Sequence, residues 1–190
     1  MEPSATALGA TPFGPTNLDV TVQNSIRWPE RYLPGAVDNF VSNEVVVSGL
    51  SAEAAWRLLV DTSTWESYYD NVSDISFPEH DGPELRDGIR FTFRSFGFPP
   101  IDAHVVEFQP PAHDRPGRLS WTGLLEGGPA ERAEALHAWL VEDLPGGRGR
   151  ILTQETQIGE PARALAAIRP NPVLNGHQDW LEGLVEAARK

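Results

Sequence analysis

Between residues 89 and 158 the chain alternates polar and apolar side chains in five successive stretches, separated by clusters of turn-forming residues. The stretches are Ile89 to Phe96, Ile101 to Gln109, Arg118 to Leu125, Glu134 to Glu142 and Arg150 to Ile158. A period of two places alternate side chains on opposite faces of an extended strand, so each stretch reads as a strand with one face toward a core. Pro110-Pro111, Gly127-Gly128-Pro129 and Pro145-Gly146-Gly147 are short enough for hairpins. Successive strands are therefore expected to pair antiparallel.

Flanking segments complete the order. Asn39 to Val47 is rich in β-branched residues and reads as a first strand. Ser51 is a good N-cap for a helix carrying Ala55, Trp56, Leu58, Leu59 and Val60 and ending near Asp61. Thr62 to Tyr69 suits a second short helix, and Val72 to Phe77 a short strand. After the last strand, Pro161 fits a first helical position and Ala162 to Arg169 forms one helical piece. Pro170 and Pro172 interrupt it, because each removes a backbone donor and clashes with the preceding turn. A final helix from Val173 to Ala188 is expected to place Leu174, His177, Leu181, Leu184 and Ala188 on one face.

The 190 residues suit one domain with some chain to spare. Residues 1 to 36, with five prolines and no period, read as an N-terminal arm. Disorder is expected before about Val20, and an ordered wrap at Ile26 to Pro34, where Trp28, Tyr32 and Leu33 gain by leaving water. The domain proper is 37–190. A net charge of −12, from 15 basic and 27 acidic residues, repels phosphate backbones and anionic lipid heads, so neither nucleic acid nor membrane is an expected partner. The absence of Cys excludes thiol chemistry, and with no export signal at the start the expected location is the cytoplasm. His80, His104, His113, His137 and His177 show no ligand-pair spacing, so no metal and no other cofactor is expected. Gly146-Gly147-Arg148-Gly149 lacks the ending of a phosphate loop and reads as a hairpin turn.

Strand, two short helices, six strands and a long C-terminal helix make an α+β fold: a curved antiparallel sheet wrapped around one helix. The order resembles the helix-grip fold of the START-like, or SRPBCC, superfamily over residues 38 to 188. Leu136-His137-Ala138-Trp139-Leu140, Thr153-Gln154-Glu155-Thr156-Gln157-Ile158-Gly159 and His177-Gln178-Asp179-Trp180-Leu181-Glu182-Gly183-Leu184 look like the bacterial polyketide cyclase/dehydrase branch. The resemblance implies an internal apolar cavity for a hydrophobic small molecule. It fits an enzyme that folds a poly-carbonyl chain, as in antibiotic biosynthesis; the alternative is a non-catalytic carrier or sensor of a lipid or other hydrophobic ligand. A homodimer is left open.

Alternation puts Ile151, Thr153 and Glu155 on one face of their strand and Arg150 and Gln154 on the other, where Arg150 is expected to meet water. His137 and Trp139 share a face of the preceding strand, but which face meets the cavity stays open. If His137 points inward, it and Glu155 meet across adjacent strands as an acid/base pair, and these two are the catalytic candidates. Phe91, Phe93, Trp121, Trp139, Thr153, His177, Trp180 and Leu181 are the candidate ligand-binding residues, the aromatics for stacking and for an indole donor.

Overall fold

A computed structural model describes residues 23–190, so the disorder expected before Val20 lies outside the described residues. In chain order the elements are β1 (Asn39–Ser48), α1 (Ala52–Val60), a 3-10 turn at Thr62–Ser67, β2 (Val72–Ser76), β3 (Arg90–Ser95) and β4 (Ile101–Gln109). There follow β5 (Gly117–Leu125), β6 (Ala133–Leu144), β7 (Arg148–Gly159), α2 (Glu160–Ala167) and α3 (Pro172–Ala188). All seven strands form one antiparallel sheet in the order β1-β7-β6-β5-β4-β3-β2. This is the helix-grip fold, with the curved sheet closing on α3. No helix among the described residues is long and apolar enough to cross a membrane.

Local chemistry sets the helix ends. Ser51 caps α1 by accepting from the Ala54 N–H at 3.2 Å. Asn171 caps α3 in the same way, accepting from Val173 and Leu174, and Pro170 and Pro172 separate α2 from α3 as expected. The buried face of α3 carries Val173, Gly176, His177, Trp180, Leu181 and Leu184. Leu174, expected on that face, is 36% exposed and lies off it. Gly183 lets α3 come close to the 3-10 turn: a Cβ there would stand 1.9 Å from the Tyr68 carbonyl oxygen. That approach fixes how the helix sits over the sheet.

The sheet is buried on both sides at its centre. On the helix side, Trp65, Trp121, Trp139, Trp180, Leu181 and Leu184 belong to one large core. On the other side Ile26 packs with Ala138, Leu140 and Leu152, and Trp28 flanks them. Arg150 therefore does not meet water. The segment around Asn24 covers it, and only 4% of its surface is accessible. Its guanidinium donates to Glu44 and Glu142, each at 2.6 Å, and to the Asn24 carbonyl at 2.8 Å. Asn24 in turn donates to Glu142 at 2.6 Å, and Arg118 donates to the Ser25 carbonyl at 2.8 Å.

Candidate functional site

Strand pairing assembles the site. β6 and β7 run in a register that sets His137 directly opposite Glu155, while β5 sets Trp121 opposite His137 on the other side. All three side chains point to the helix side, where α3 brings His177 over them. His137 Nδ1 stands 3.2 Å from Glu155 Oε2, and His177 Nε2 stands 3.2 Å from the same oxygen. The two imidazoles stack with centroids 4.3 Å apart and planes at 8°. Neighbours hold the outer edges of the cluster: His137 Nε2 lies 2.8 Å from Thr153 Oγ1, and Gln157 donates to Glu155 Oε1. His177 Nδ1 is buried without a hydrogen-bond partner among the described residues.

Burial disfavours a charged imidazole, and the adjoining His177 adds to the effect, so the His137 pKa falls to about 3, opposed by Glu155. Burial by itself would raise Glu155. His177, His137 and Gln157 more than offset this, and the carboxyl is held down at about 2. At neutral pH the cluster thus pairs an ionised carboxylate with a neutral His137. Tyr69, whose ring stacks on Trp180 at 4.5 Å and 12°, is raised to about 12 by burial and keeps its proton.

A cavity of about 80 Å³ opens beside the cluster, between the sheet, α2 and α3. Of the residues named from sequence, Phe93, Trp121, His137, Glu155, His177 and Trp180 line it. Phe91, Trp139, Thr153 and Leu181 do not. Phe91 is stacked between Phe77 and Phe93, Leu181 is packed in the core, and Trp139 is fully buried two residues beyond His137 on the same face. Thr153 touches the cavity only through His137. The expected deep space is mostly filled, because Trp65, Trp121 and Trp180 pack against one another at 5.1–6.2 Å.

Sequence reasoning passed over Tyr69, Ser95 and Gln157 in the lining. Alternation from Phe93 reaches Ser95, and from Glu155 reaches Gln157, so a signal for those two was present. Tyr69 sits just after a 3-10 turn and had none. Among the described residues the lining holds no Lys or Arg. Spacing along the chain also says nothing about His177 joining His137 and Glu155, because the three come from a strand, its neighbour and a helix.

Comparison with known proteins gives a near and a distant likeness. The hypothetical protein jhp0584 of Helicobacter pylori, a crystal structure, superposes with a TM-score of 0.84 at 49% identity, over 89% of this chain and 99% of that one. The di-domain ARO/CYC BexL from the BE-7585A biosynthetic pathway matches with a TM-score of 0.55 at 14% identity, over 78% of this chain and 46% of its own length. Ara h 8.0201 matches with a TM-score of 0.51 at 12% identity, over 80% and 96% of the two chains. At those identities the last two share the helix-grip fold and no more. No protein-family model matches the chain, and no curated protein matches it.

Proposed function

The chain belongs to the family of the Helicobacter pylori protein jhp0584, and from that premise we propose that it binds a hydrophobic small molecule against α3 and catalyses proton transfer on it. The observation that carries this reading is the placement of an ionised Glu155, its side chain 12% exposed, against the nitrogens of two stacked imidazoles at the wall of an aromatic cavity. Among the described residues this carboxylate has no Lys or Arg partner, and the two imidazoles and Gln157 hold it ionised against the desolvation. Such a group in a cleft is a candidate base, and one held at about 2 suits an already acidic C–H, such as a carbon between two carbonyls.

An enolisable carbonyl compound is the substrate class that fits. Glu155 takes the proton beside one carbonyl as the enolate carbon attacks a second carbonyl of the same chain, opening its π bond, and the imidazoles deliver the proton to the alkoxide oxygen so formed. Trp180 and Tyr69 offer a stacking wall for an unsaturated chain or ring. A cavity of about 80 Å³ holds a few heavy atoms, well under the 300 Å³ or more of usual ligand sites. The reacting carbonyl therefore sits at the cluster while the rest of the molecule displaces the half-buried Phe96, Phe98 or Leu165 at the cavity wall. Cyclisation of a poly-carbonyl intermediate, in the manner of a polyketide cyclase, is the reaction we favour.

The test is product analysis. Purified protein incubated with poly-carbonyl substrates is expected to change the ratio of cyclised products, and Glu155→Gln to restore the ratio seen without protein. Binding with no change in products would assign the protein as a carrier instead.

A further inference from the structure

We infer that His137, Glu155 and His177 form a binding site for one divalent transition ion, Zn²⁺ or a neighbour in the first row, with an open coordination position facing the cavity. One donor atom from each residue lies within 4.8 Å of the others. The two nitrogen-to-oxygen distances are 3.2 Å. Ligands bonded at about 2.0–2.1 Å to one ion stand roughly 3.0–3.4 Å apart at right-angled to tetrahedral angles, so both distances match. Two imidazoles and a carboxylate suit a transition ion, whereas Mg²⁺ and Ca²⁺ take oxygen donors.

Charge balance points the same way, independently of the distances. Among the described residues the cavity lining contains Glu155 and Glu134 and no Lys or Arg. Glu134 is answered from outside the cavity by Arg31 and Arg132; among the described residues the two imidazoles are the only ionisable partners of Glu155. A divalent ion supplies the missing positive charge. Support behind the ligands is also in place. Thr153 engages the far nitrogen of His137, leaving Nδ1 toward Glu155, and Gln157 holds the carboxylate oxygen that faces away from the histidines.

The parallel stacking of the rings sets a condition. Two imidazoles lying at 8° do not aim their lone pairs at one point, so an ion requires one ring to turn. His177 is the ring that turns, since its Nδ1 has no partner to resist the motion while His137 is tied to Thr153. The inference goes beyond the proton-transfer reading and does not rest on it. A bound ion occupies both imidazole lone pairs, and the loaded site polarises a ligand oxygen where the metal-free cluster moves protons.

Co²⁺ is the probe, added without substrate to the full chain after chelator treatment. Visible absorption and calorimetry are expected to show one ion per chain in a four- or five-coordinate site, and Zn²⁺ to displace it. Glu155→Gln and His177→Gln are each expected to weaken uptake by a hundredfold or more, and Zn²⁺ to raise the melting temperature of the wild type but of neither variant. Absence of uptake at millimolar Co²⁺, or uptake that both variants retain, overturns the site. If the variants fail to fold, the wild-type spectrum decides alone: weak six-coordinate bands overturn the inference and intense low-coordination bands support it. Failure here leaves the product-ratio experiment standing as the separate test of proton transfer.

Discussion

On the side of the sheet covered by the N-terminal segment, Arg150 is buried with Glu142 across the strand pair, Glu44 beside them and the Asn24 carbonyl above. On the helix side, the half-buried Glu155 sits against two imidazoles, a glutamine amide and a cavity. Both clusters sit on the same two strands, β6 and β7. The first has a cation with two carboxylates and a backbone acceptor around it, so each group is answered by another and the arrangement pins the arm to the sheet. The second leaves a carboxylate without a basic partner and a ring nitrogen without a hydrogen bond. The closed cluster is accounted for by structure alone, whereas the one open toward a cavity is the candidate for chemistry.

The sharpest way to break that contrast is to remove the centre of each cluster. Arg150→Met strands the buried Glu142 carboxylate, and the expected loss is about 3–5 kcal/mol in urea unfolding, with ligand chemistry unaffected in the protein that remains folded. An unchanged midpoint would show that the arm is held by Ile26 and Trp28 alone. Glu155→Gln is expected to do the reverse. The amide retains the shape but loses the charge that the imidazoles and Gln157 favour, so stability should fall less than in Arg150→Met, by about 1–3 kcal/mol, while turnover falls about a hundredfold. A large stability loss with turnover intact would make the helix-side cluster structural too.

How far each side was legible in the sequence follows from what covers it. Alternation located every strand within a few residues, since its period is a property of the strand itself. It left the facing of His137 open because β6 has no exposed central face: Ala138 and Leu140 on one side are as buried as His137 and Trp139 on the other. The placement of Arg150 in water failed for the same reason. A charged residue is expected outside unless something covers it, and the cover is a segment more than a hundred residues earlier in the chain. The His137 and Glu155 pairing was readable from adjacent strands. Their junction with His177 was not, because it depends on the rotation and approach of α3, which Gly183 sets against Tyr68. The spacing rule against a metal site fails to reach such a cluster, whose ligands are 18 and 22 positions apart along the chain.

A smaller perturbation sharpens the structural side. Ile26→Ala trims the apolar contact with Ala138, Leu140 and Leu152 but leaves the Arg150 cluster in place. The residue is buried at the rim rather than deep in the core, so the expected cost is about 2 kcal/mol, the low end for such truncations. Differential scanning calorimetry would detect it, and a cost equal to that of Arg150→Met would mean that the two contacts form one cooperative unit.

The least effect, and the one that separates the two sides by pH, comes from His137. Its folded pKa lies near 3, against an ordinary value of about 6.5 in an unfolded chain. A group whose protonation is disfavoured in the folded state gives the unfolded chain the greater proton uptake, so its contribution to stability is whole above the unfolded value and is lost as pH falls toward the folded one. Glu155, held at about 2, begins to lose its contribution only below an unfolded value of about 4.3. Between pH 7 and 5.5 the acid dependence of this pair therefore belongs to His137, and it amounts to about 1 kcal/mol. His137→Phe is expected to remove that slope, while Arg150→Met keeps it, because a guanidinium does not titrate in this range. Urea unfolding of the wild type and both variants at the two pH values makes the comparison. An equal slope in His137→Phe would place the proton uptake elsewhere and deny that His137 is held neutral in the folded protein.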